Sequence, residues 1–201
     1  MSNILSRLND DAADVLGSVQ RSLVQVHSGG SGAGAGSVWH SDGLIVTNAH
    51  VAAGGPLRVT LPDGTTVPAQ LLARDDNRDL AALSVDVGGL PTITPGASRS
   101  LNPGQLVLAV GHPWGVLGAA TSGIVIGTGA DWPDMPWSRR NWLVVNLHLR
   151  PGHSGGPMVD ISGRLVGVNT MITGPDVGLA VPVSTVKRFL REAFPAQKAA
   201  A

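Results

Sequence analysis

The amino-acid sequence predicts an all-β fold with a short helix at each end. Its apolar runs are short and are interrupted throughout by 27 glycines and 14 prolines, which is typical of β-sandwiches and barrels. The Asp63-Gly64 dipeptide lies between two strand-like segments, 57–61 and 65–69, and supplies a hairpin turn. Apolar residues recur at helical spacing only near the two termini.

The two predicted helices cover about residues 3–16 and about residues 184–194. For the second helix, Ser184 is the expected N-cap and Pro195 the residue that ends it. The apolar positions are Ile4, Leu5, Leu8, Ala12, Val15 and Leu16 in the first helix, and Val186, Phe189 and Leu190 in the second.

Between the helices, segments 142–147 and 164–168 are predicted strands, the second following a hairpin turn at 160–163. The glycine-rich segment 29–36 is interpreted as a mobile loop or a tight hairpin, because it lacks the Gly-Lys-Ser/Thr of a nucleotide-binding loop. Segment 131–142 holds three of the five tryptophans. It either covers a barrel mouth or forms a surface for a partner or substrate.

Composition excludes several classes of function. The chain has 14 basic and 14 acidic residues and no cysteine, so we expect no nucleic-acid partner, no anionic membrane partner, no disulfide and no thiolate metal site. No histidine or carboxylate cluster has metal-binding spacing, and we expect no cofactor. No secretory or membrane-spanning segment is recognisable, which predicts a cytoplasmic protein, or an exported one if an N-terminal signal has been removed.

The segment Gly152-His153-Ser154-Gly155-Gly156-Pro157 is the most informative part of the sequence. Its glycines permit a tight turn that could present Ser154 as a nucleophile and aim backbone N–H groups at an oxyanion. An ordinary glycine-rich turn is the alternative. The G-x-S-x-G pattern also suits α/β-hydrolases, whose histidine follows the serine. No histidine follows Ser154, so only the order His, Asp, Ser is available.

His50 and Asp79 are the candidates for the other two positions. His50 follows the apolar segment 44–47, where a strand end can fix the orientation of its ring. Asp79 opens the apolar run 80–85, where its carboxylate could be buried against the imidazole. Each residue alone could equally be a structural strand-end residue.

Together, the segments Thr47–Val51, Asp79–Leu83 and Pro151–Pro157 resemble the histidine, aspartate and serine motifs of the trypsin-like peptidases of the HtrA (DegP-like) group. Further similar segments are 110–115, 121–125, 167–170 and 178–182, so the resemblance covers nearly the whole chain. It implies two six-stranded β-barrels of the chymotrypsin type, about residues 20–98 and 99–183, with the substrate cleft between them.

The same resemblance implies a serine endopeptidase that acts in protein quality control or regulation and cleaves peptides or unfolded proteins. His50, Asp79 and Ser154 would form the catalytic triad, and the N–H groups of Gly152 and Ser154 would form the oxyanion hole. The alternative is a peptide-binding module that kept the fold but lost turnover. The implied substrate-binding residues are His148, Val168, Asn169, Thr170, Leu179 and Ala180.

The sequence departs from the HtrA pattern at three positions. His148 falls where the family commonly has a small apolar residue at the base of the specificity pocket, so the sequence leaves open a preference for small aliphatic or for acidic residues before the cut. Asn146 replaces an acidic residue, and His153 replaces Asn.

The resemblance also bears on assembly and domain content. It implies a homotrimer or other homo-oligomer formed through the N-terminal segment, although that helix could instead pack on its own barrel. No PDZ domain follows the C-terminal helix in this sequence, as in a protease-only relative or in a piece that ends at that boundary.

Overall fold

The structure is a computed structural model that describes residues 3–29, 33–128, 141–174 and 176–195. The predicted fold class is confirmed, because twelve antiparallel strands form two closed six-stranded barrels and a helix precedes and follows them. The helices are α1 (Ile4–Gln20) and α2 (Val183–Ala193). The first barrel contains β1 (Leu23–Ser28), β2 (Ala33–His40), β3 (Leu44–Thr47), β4 (Leu57–Thr60), β5 (Thr66–Asp75) and β6 (Leu80–Val85). The second contains β7 (Leu106–Gly111), β8 (Ala119–Thr128), β9 (Leu143–Asn146), β10 (Pro157–Asp160), β11 (Leu165–Gly174) and β12 (Val177–Pro182).

The first barrel closes in the strand order β1-β2-β3-β6-β5-β4. The Asp63-Gly64 turn connects β4 and β5, with Gly64 at a φ of 87° and the Asp63 carboxylate accepting a hydrogen bond from the Thr65 N–H at 2.8 Å. Strand β3 ends three residues before His50, and β6 begins one residue after Asp79. Because β3 pairs with β6, with Thr47 opposite Ala81, the two candidate residues emerge from neighbouring strand ends.

The second barrel closes in the order β10-β11-β12-β9-β8-β7. Strand β10 therefore lies between β7 and β11, pairing Met158 with Ala109 on one side and Pro157 with Val168 on the other. The turn that carries Ser154 directly precedes β10. It is consequently flanked by the segment that leaves β7 on one side and by the second half of β11 on the other.

Two apolar clusters join the barrels. In one, Val46 and Leu80 of the first barrel pack with Val168 of the second and with Phe189 of α2, all of them buried. In the other, Ala35 packs with residues of β7, β10 and β11. Burying such side chains contributes about 1.5–3 kcal/mol each. The shared interior therefore holds the strand ends of one barrel in a fixed position against those of the other.

The two helices differ in detail from their predicted forms. Helix α1 ends at Gln20 rather than near residue 16, because Val19 is buried against the second barrel and keeps the last turn in place. Ser184 does not cap α2, contrary to the prediction. The helix begins at Val183 directly after Pro182, and the Ser184 hydroxyl accepts a hydrogen bond from Ser98 instead.

The glycine-rich segment connects β1 and β2, which pair from Leu23 opposite Ser37 to His27 opposite Ala33. Its described flanks therefore have the geometry of a hairpin, and residues 30–32 lie outside the described residues. Most of the tryptophan-rich segment 131–142 also lies outside them. Trp142 is described and is buried between the barrels, so it offers no exposed surface.

Candidate active site

His50 and Asp79 form a hydrogen-bonded pair at the cleft between the barrels. The Nδ1 atom of His50 lies 2.9 Å from Oδ2 and 3.0 Å from Oδ1 of Asp79, and the His50 backbone N–H donates to Oδ1 at 3.1 Å. The ring is half exposed, whereas Asp79 is buried. This arrangement fixes the orientation of the imidazole and leaves its Nε2 edge for a second group.

The environment of Asp79 keeps its carboxylate ionised. Burial acts to raise the pKa of Asp79, but hydrogen bonds from the His50 ring, the Thr170 hydroxyl and the His50 backbone outweigh it, and the pKa is lowered overall. Asp79 has a positive φ of 53°, and the Asn48 side chain donates to its carbonyl oxygen at 2.9 Å. The backbone is thus held in a conformation that turns the carboxylate toward His50.

Thr170 of β11 connects this pair to Ser154. Its hydroxyl donates to Oδ2 of Asp79, and its backbone carbonyl accepts a hydrogen bond from the Ser154 hydroxyl at 3.1 Å. All three predicted residues therefore meet around one strand position. In this structure the Ser154 hydroxyl bonds Thr170 and not His50. Sequence reasoning placed Thr170 in the wall of the specificity pocket and missed this link.

The turn at Ser154 contains two glycines in the left-handed region of backbone conformation. Gly152 has a φ of 103° and Gly155 a φ of 82°, both in the region that favours glycine. The carbonyl oxygen of Ser154 accepts a hydrogen bond from the Ala35 N–H at 2.8 Å. Within the described residues, the N–H groups of Gly152 and Ser154 donate no hydrogen bond, so both remain available to an external oxygen.

His153 supports this turn from inside. Its ring is buried, with Nδ1 3.1 Å from the Arg150 backbone nitrogen and 3.2 Å from the Arg150 carbonyl oxygen, and the His153 N–H donates to the Arg150 carbonyl at 3.0 Å. Burial lowers the pKa of His153, the Arg150 backbone hydrogen bond opposes this, and the nearby Arg150 charge lowers the pKa further. The ring is thus held against the Arg150 backbone inside the turn.

His112 supports the same turn from the end of β7. Its backbone N–H donates to the Gly152 carbonyl at 2.9 Å, and its Nδ1 accepts from the Gly118 N–H at 3.3 Å. Burial is again the main reason that its pKa is lowered. Sequence analysis did not select His112, although its position before Pro113 at a strand end was the available signal.

The structure does not open the predicted pocket walls to solvent. Val168, Asn169, Leu179 and Ala180 are fully buried, and Thr170 is nearly so. The Asn169 amide donates to the carbonyls of Val110 and Pro157 inside the barrel. Met171 and Ile172 of β11 are exposed. The backbone of β11 is bonded to the segment before β10 as far as Asn169, whose N–H donates to the Gly156 carbonyl and whose carbonyl accepts from the Gly155 N–H, each at 2.9 Å.

His148 is half exposed. Its Nδ1 lies 2.6 Å from Oδ1 of Asp176, which belongs to the turn between β11 and β12 and has a positive φ of 58°. Asp176 was not selected from the sequence. Its carboxylate contacts the same ring that the sequence suggested as a binding site for an acidic side chain of the substrate.

Within the described ranges, no three His, Asp or Glu side chains are placed to hold a metal ion. No helix in the described part of the chain is both long and apolar enough to cross a membrane.

The barrels, the cleft between them and the order of His50, Asp79 and Ser154 define the class of trypsin-like peptidases. Comparison with known families agrees, because the trypsin-like peptidase domain matches residues 34–168. The chain belongs to this family.

The known proteins that resemble this chain include HtrA-type serine proteases. The chain is 39% identical over 165 residues to the chloroplastic protease Do-like 1 of Arabidopsis thaliana and 36% identical over 170 residues to the mitochondrial serine protease HTRA2 of Drosophila pseudoobscura pseudoobscura. These matches cover 77% and 82% of this chain but only 38% and 40% of those proteins. The chain therefore spans about two fifths of the length of these relatives and corresponds to their protease domain.

Solved structures give the same result. The HtrA-type protease AlgW with a tripeptide superimposes with a TM-score of 0.83 at 28% identity, covering 92% of this chain and 64% of that one. The serine endoprotease from Yersinia pestis superimposes with a TM-score of 0.82 at 26% identity, covering 92% of this chain and 67% of that one.

Proposed function

We propose that the chain is a serine endopeptidase that hydrolyses peptide bonds through an acyl-enzyme. The observation that carries this proposal is the connection through Thr170, which binds the carboxylate of Asp79 and the hydroxyl of Ser154 at one strand position. With His50 held on the same carboxylate, the three groups that the mechanism requires are within one cluster.

In the proposed reaction, Ser154 Oγ attacks the scissile carbonyl carbon and His50 Nε2 accepts the hydroxyl proton. Ser154 must first exchange its hydrogen bond to Thr170 for one to His50, and hydrogen bonds of this kind commonly tighten only when substrate is present. His50 then protonates the leaving amine, and the peptide C–N bond breaks. Water attacks the acyl-enzyme in the same way and releases Ser154.

Asp79 and the two free N–H groups supply the electrostatic part. The ionised Asp79 stabilises the imidazolium that forms on His50, and it holds the tautomer in which Nε2 can accept a proton. The N–H groups of Gly152 and Ser154 would bind the oxyanion. Losing one such donor typically raises the barrier by about 3 kcal/mol.

The proposed substrate is an extended segment of a peptide or unfolded protein, consistent with a role in protein quality control. Its acyl side would pair with the edge of β11 beyond Asn169, as peptides do when they extend a sheet. That a similar structure holds a tripeptide supports this class of ligand. Because the His148 ring is already paired with the carboxylate of Asp176, we favour a small aliphatic residue before the cut over an acidic one.

We also propose that the protein forms a homo-oligomer, with a trimer the first expectation. The first turns of α1 expose Ile4 and Leu8, whereas Val19 at the other end is buried on the second barrel. Light scattering coupled to size-exclusion chromatography measures the state directly, and a monomer at all concentrations would contradict this part of the proposal.

A fluorophosphonate probe, which reacts with activated serines, tests the central claim. We expect wild-type protein to be labelled and the Ser154→Ala variant not to be. Ser162→Ala is the matched control, since Ser162 is exposed in the turn after β10, and it should label like wild type. Undiminished labelling of Ser154→Ala would overturn the assignment, and wild-type protein that binds peptides without being labelled would favour the silent binding module.

A further inference from the structure

The segment that leaves β7 exposes three apolar side chains beside the Ser154 turn. Trp114 is 72% exposed, Val116 57% and Leu117 68%. Large apolar side chains grouped in this way on a surface commonly mark a binding site. The proposed mechanism uses none of them.

This segment is held in place at both ends, so the apolar side chains have fixed positions. The His112 N–H donates to the Gly152 carbonyl at 2.9 Å, and a 3-10 turn at Pro113–Gly115 follows. At the far end, the Gly118 carbonyl accepts a hydrogen bond from the Gln20 side chain at 2.7 Å. The chain between them is thus anchored to the Ser154 turn and to α1.

Trp114 is itself constrained. It has a positive φ of 53°, a conformation that costs a non-glycine residue about 1–2 kcal/mol. The guanidinium of Arg150 lies 5.1 Å from the centre of its ring, within the range of a cation–π interaction. Since Arg150 is four residues before Ser154, the ring is tied to the turn that holds the proposed nucleophile while most of its surface remains in solvent.

The strand order decides which part of a substrate would meet this surface. The Ser154 turn lies between the second half of β11 and the segment that leaves β7, because β10 pairs with both strands. A peptide whose acyl side pairs with β11 and whose scissile carbonyl lies at Ser154 continues across the turn. Its leaving side therefore passes over residues 112–118.

We propose that Trp114, Val116 and Leu117 form an apolar subsite for a residue on the leaving side of the scissile bond, within the first three positions after the cut. The subsite favours bulky aliphatic or aromatic side chains, which are buried in folded proteins and accessible in unfolded ones. This inference rests on the proposed peptidase function, and it names a specificity determinant of that same site.

A neighbouring concavity extends the apolar surface toward the first barrel. Leu117 and His112 line a cleft of ≈ 230 Å³ together with Leu61 and Pro62 from the β4–β5 turn. The exposed surface around Leu117 is therefore continuous with this cleft, which lies where the two barrels meet.

Proteolysis of an unfolded protein mixture, with cleavage positions read by mass spectrometry, tests the subsite. For wild type, bulky apolar residues should be enriched at one of the first three positions after the cut. For Trp114→Ala that enrichment should fall, and kcat/KM on a peptide carrying Phe or Leu there should drop about tenfold relative to the same peptide with Gly, in the range expected for a side-chain pocket. Trp114→Phe should restore most of the preference.

Controls separate the subsite from the proposed function and from folding. Ile161→Ala removes an equally exposed apolar side chain from the β10–β11 turn and should leave the preference unchanged. Leu117→Ala gives a second test if Trp114→Ala proves unstable. Ile161→Ala should also react with the fluorophosphonate at the wild-type rate, and labelling of the Trp114 and Leu117 variants shows whether Ser154 is still reactive in them.

The possible outcomes are distinct. Labelled enzyme whose preference after the cut is the same in wild type, Trp114→Ala and Leu117→Ala would overturn the subsite while leaving the peptidase intact. Unlabelled wild type would overturn the peptidase itself. A change of oligomeric state in Trp114→Ala without a change of preference would assign the surface to contacts between copies of the chain and would also overturn the subsite.

Discussion

The two barrels contribute unequal parts to the site. The first barrel provides a pair, His50 and Asp79, in which the carboxylate is held by the His50 ring, the His50 backbone and a hydroxyl from the other barrel. The second barrel provides a turn whose two N–H groups have no partner among the described residues and whose Ser154 hydroxyl bonds Thr170. In the proposed mechanism, the His50–Asp79 pair that would transfer the proton is thus already arranged, whereas the turn that would bind the changing substrate still has free N–H groups. The following variants test that division.

The largest expected effect on activity comes from a change in the His50–Asp79 pair. Asp79→Asn keeps the shape but removes the charge, and it stabilises the wrong tautomer of His50. We expect kcat to fall about 10,000-fold, as when the aspartate of such a triad is neutralised, with steady-state kinetics on a peptide as the measurement. Asp76→Asn is the control, because Asp76 is exposed and pairs with Arg74. If kcat of Asp79→Asn fell less than tenfold, the Asp79 carboxylate would not have the proposed role of orienting and stabilising His50.

The second variant changes Gly155, where the turn of the second barrel contacts the first barrel. A Cβ at Gly155 would overlap the Ala35 carbonyl oxygen and the Thr47 hydroxyl, so Gly155→Ala should destabilise the protein by about 3 kcal/mol or more. Gly64→Ala is the matched control, with a φ of 87° and open space around it, and it should cost only about 1 kcal/mol. Denaturant unfolding measures both, and equal losses would mean that backbone conformation alone, not the contact between barrels, explains them.

A smaller effect on activity is expected from a change at Thr170, which links Asp79 to Ser154. Thr170→Val removes the hydroxyl that donates to Asp79, and we expect kcat/KM to fall about tenfold, as for a lost hydrogen bond to a charged group. Thr170→Ser keeps the donor and should retain most activity.

Acid unfolding gives a second measure of the same variant. The pKa of Asp79 is lowered in the folded protein, so its stabilising contribution is present above the unfolded pKa and is lost as the pH falls through the folded pKa. Without the Thr170 hydroxyl that pKa rises toward its unfolded value, and Thr170→Val should unfold at a higher pH than wild type. Unchanged acid unfolding would contradict the role of the hydroxyl.

The smallest effect concerns the turn itself. Because the pKa of His153 is lowered in the folded protein, the unfolded chain binds its proton more readily, and stability is lost as the pH falls below the ordinary histidine value of about 6.5. His112 contributes in the same direction. The Arg150 charge acts on the His153 ring, and His27 and His153 act on the His112 ring. We expect His153→Asn to flatten the dependence of melting temperature on pH between about 5 and 7, and an unchanged slope would assign the dependence to other groups.

The sequence predicted an all-β fold and its hairpin turns, because glycine and proline positions are local properties, and the resemblance to the HtrA group implied the two barrels that the structure has. The order His, Asp, Ser is a linear property, so it was enough to select His50, Asp79 and Ser154 as candidates. It did not predict which side chains of β11 face outward. All residues of β11 from Leu165 to Thr170 are buried, because Val166 packs inside the second barrel while Val168 packs against Val46 and Leu80 of the first barrel. The link from Thr170 to Asp79 belongs to this contact between the barrels.

The partner of His148 was equally inaccessible to sequence reasoning. Asp176 is 28 residues away along the chain, and nothing in the local pattern distinguishes it from other turn aspartates. Such pairs are set by how two loops meet in space. The same is true of the stacking of Arg150 on Trp114.

The apolar interior shared by the barrels has a consequence for the newly made chain. A ribosome releases His50 and Asp79 long before Ser154, and the cluster around Val46 and Leu80 is completed only when Phe189 of α2 arrives. A chain synthesised only as far as Asp79 therefore has two of the three proposed catalytic residues and lacks Ser154. Because the shared interior includes Phe189 of α2, we expect the proposed peptidase activity to appear only after α2 has been synthesised.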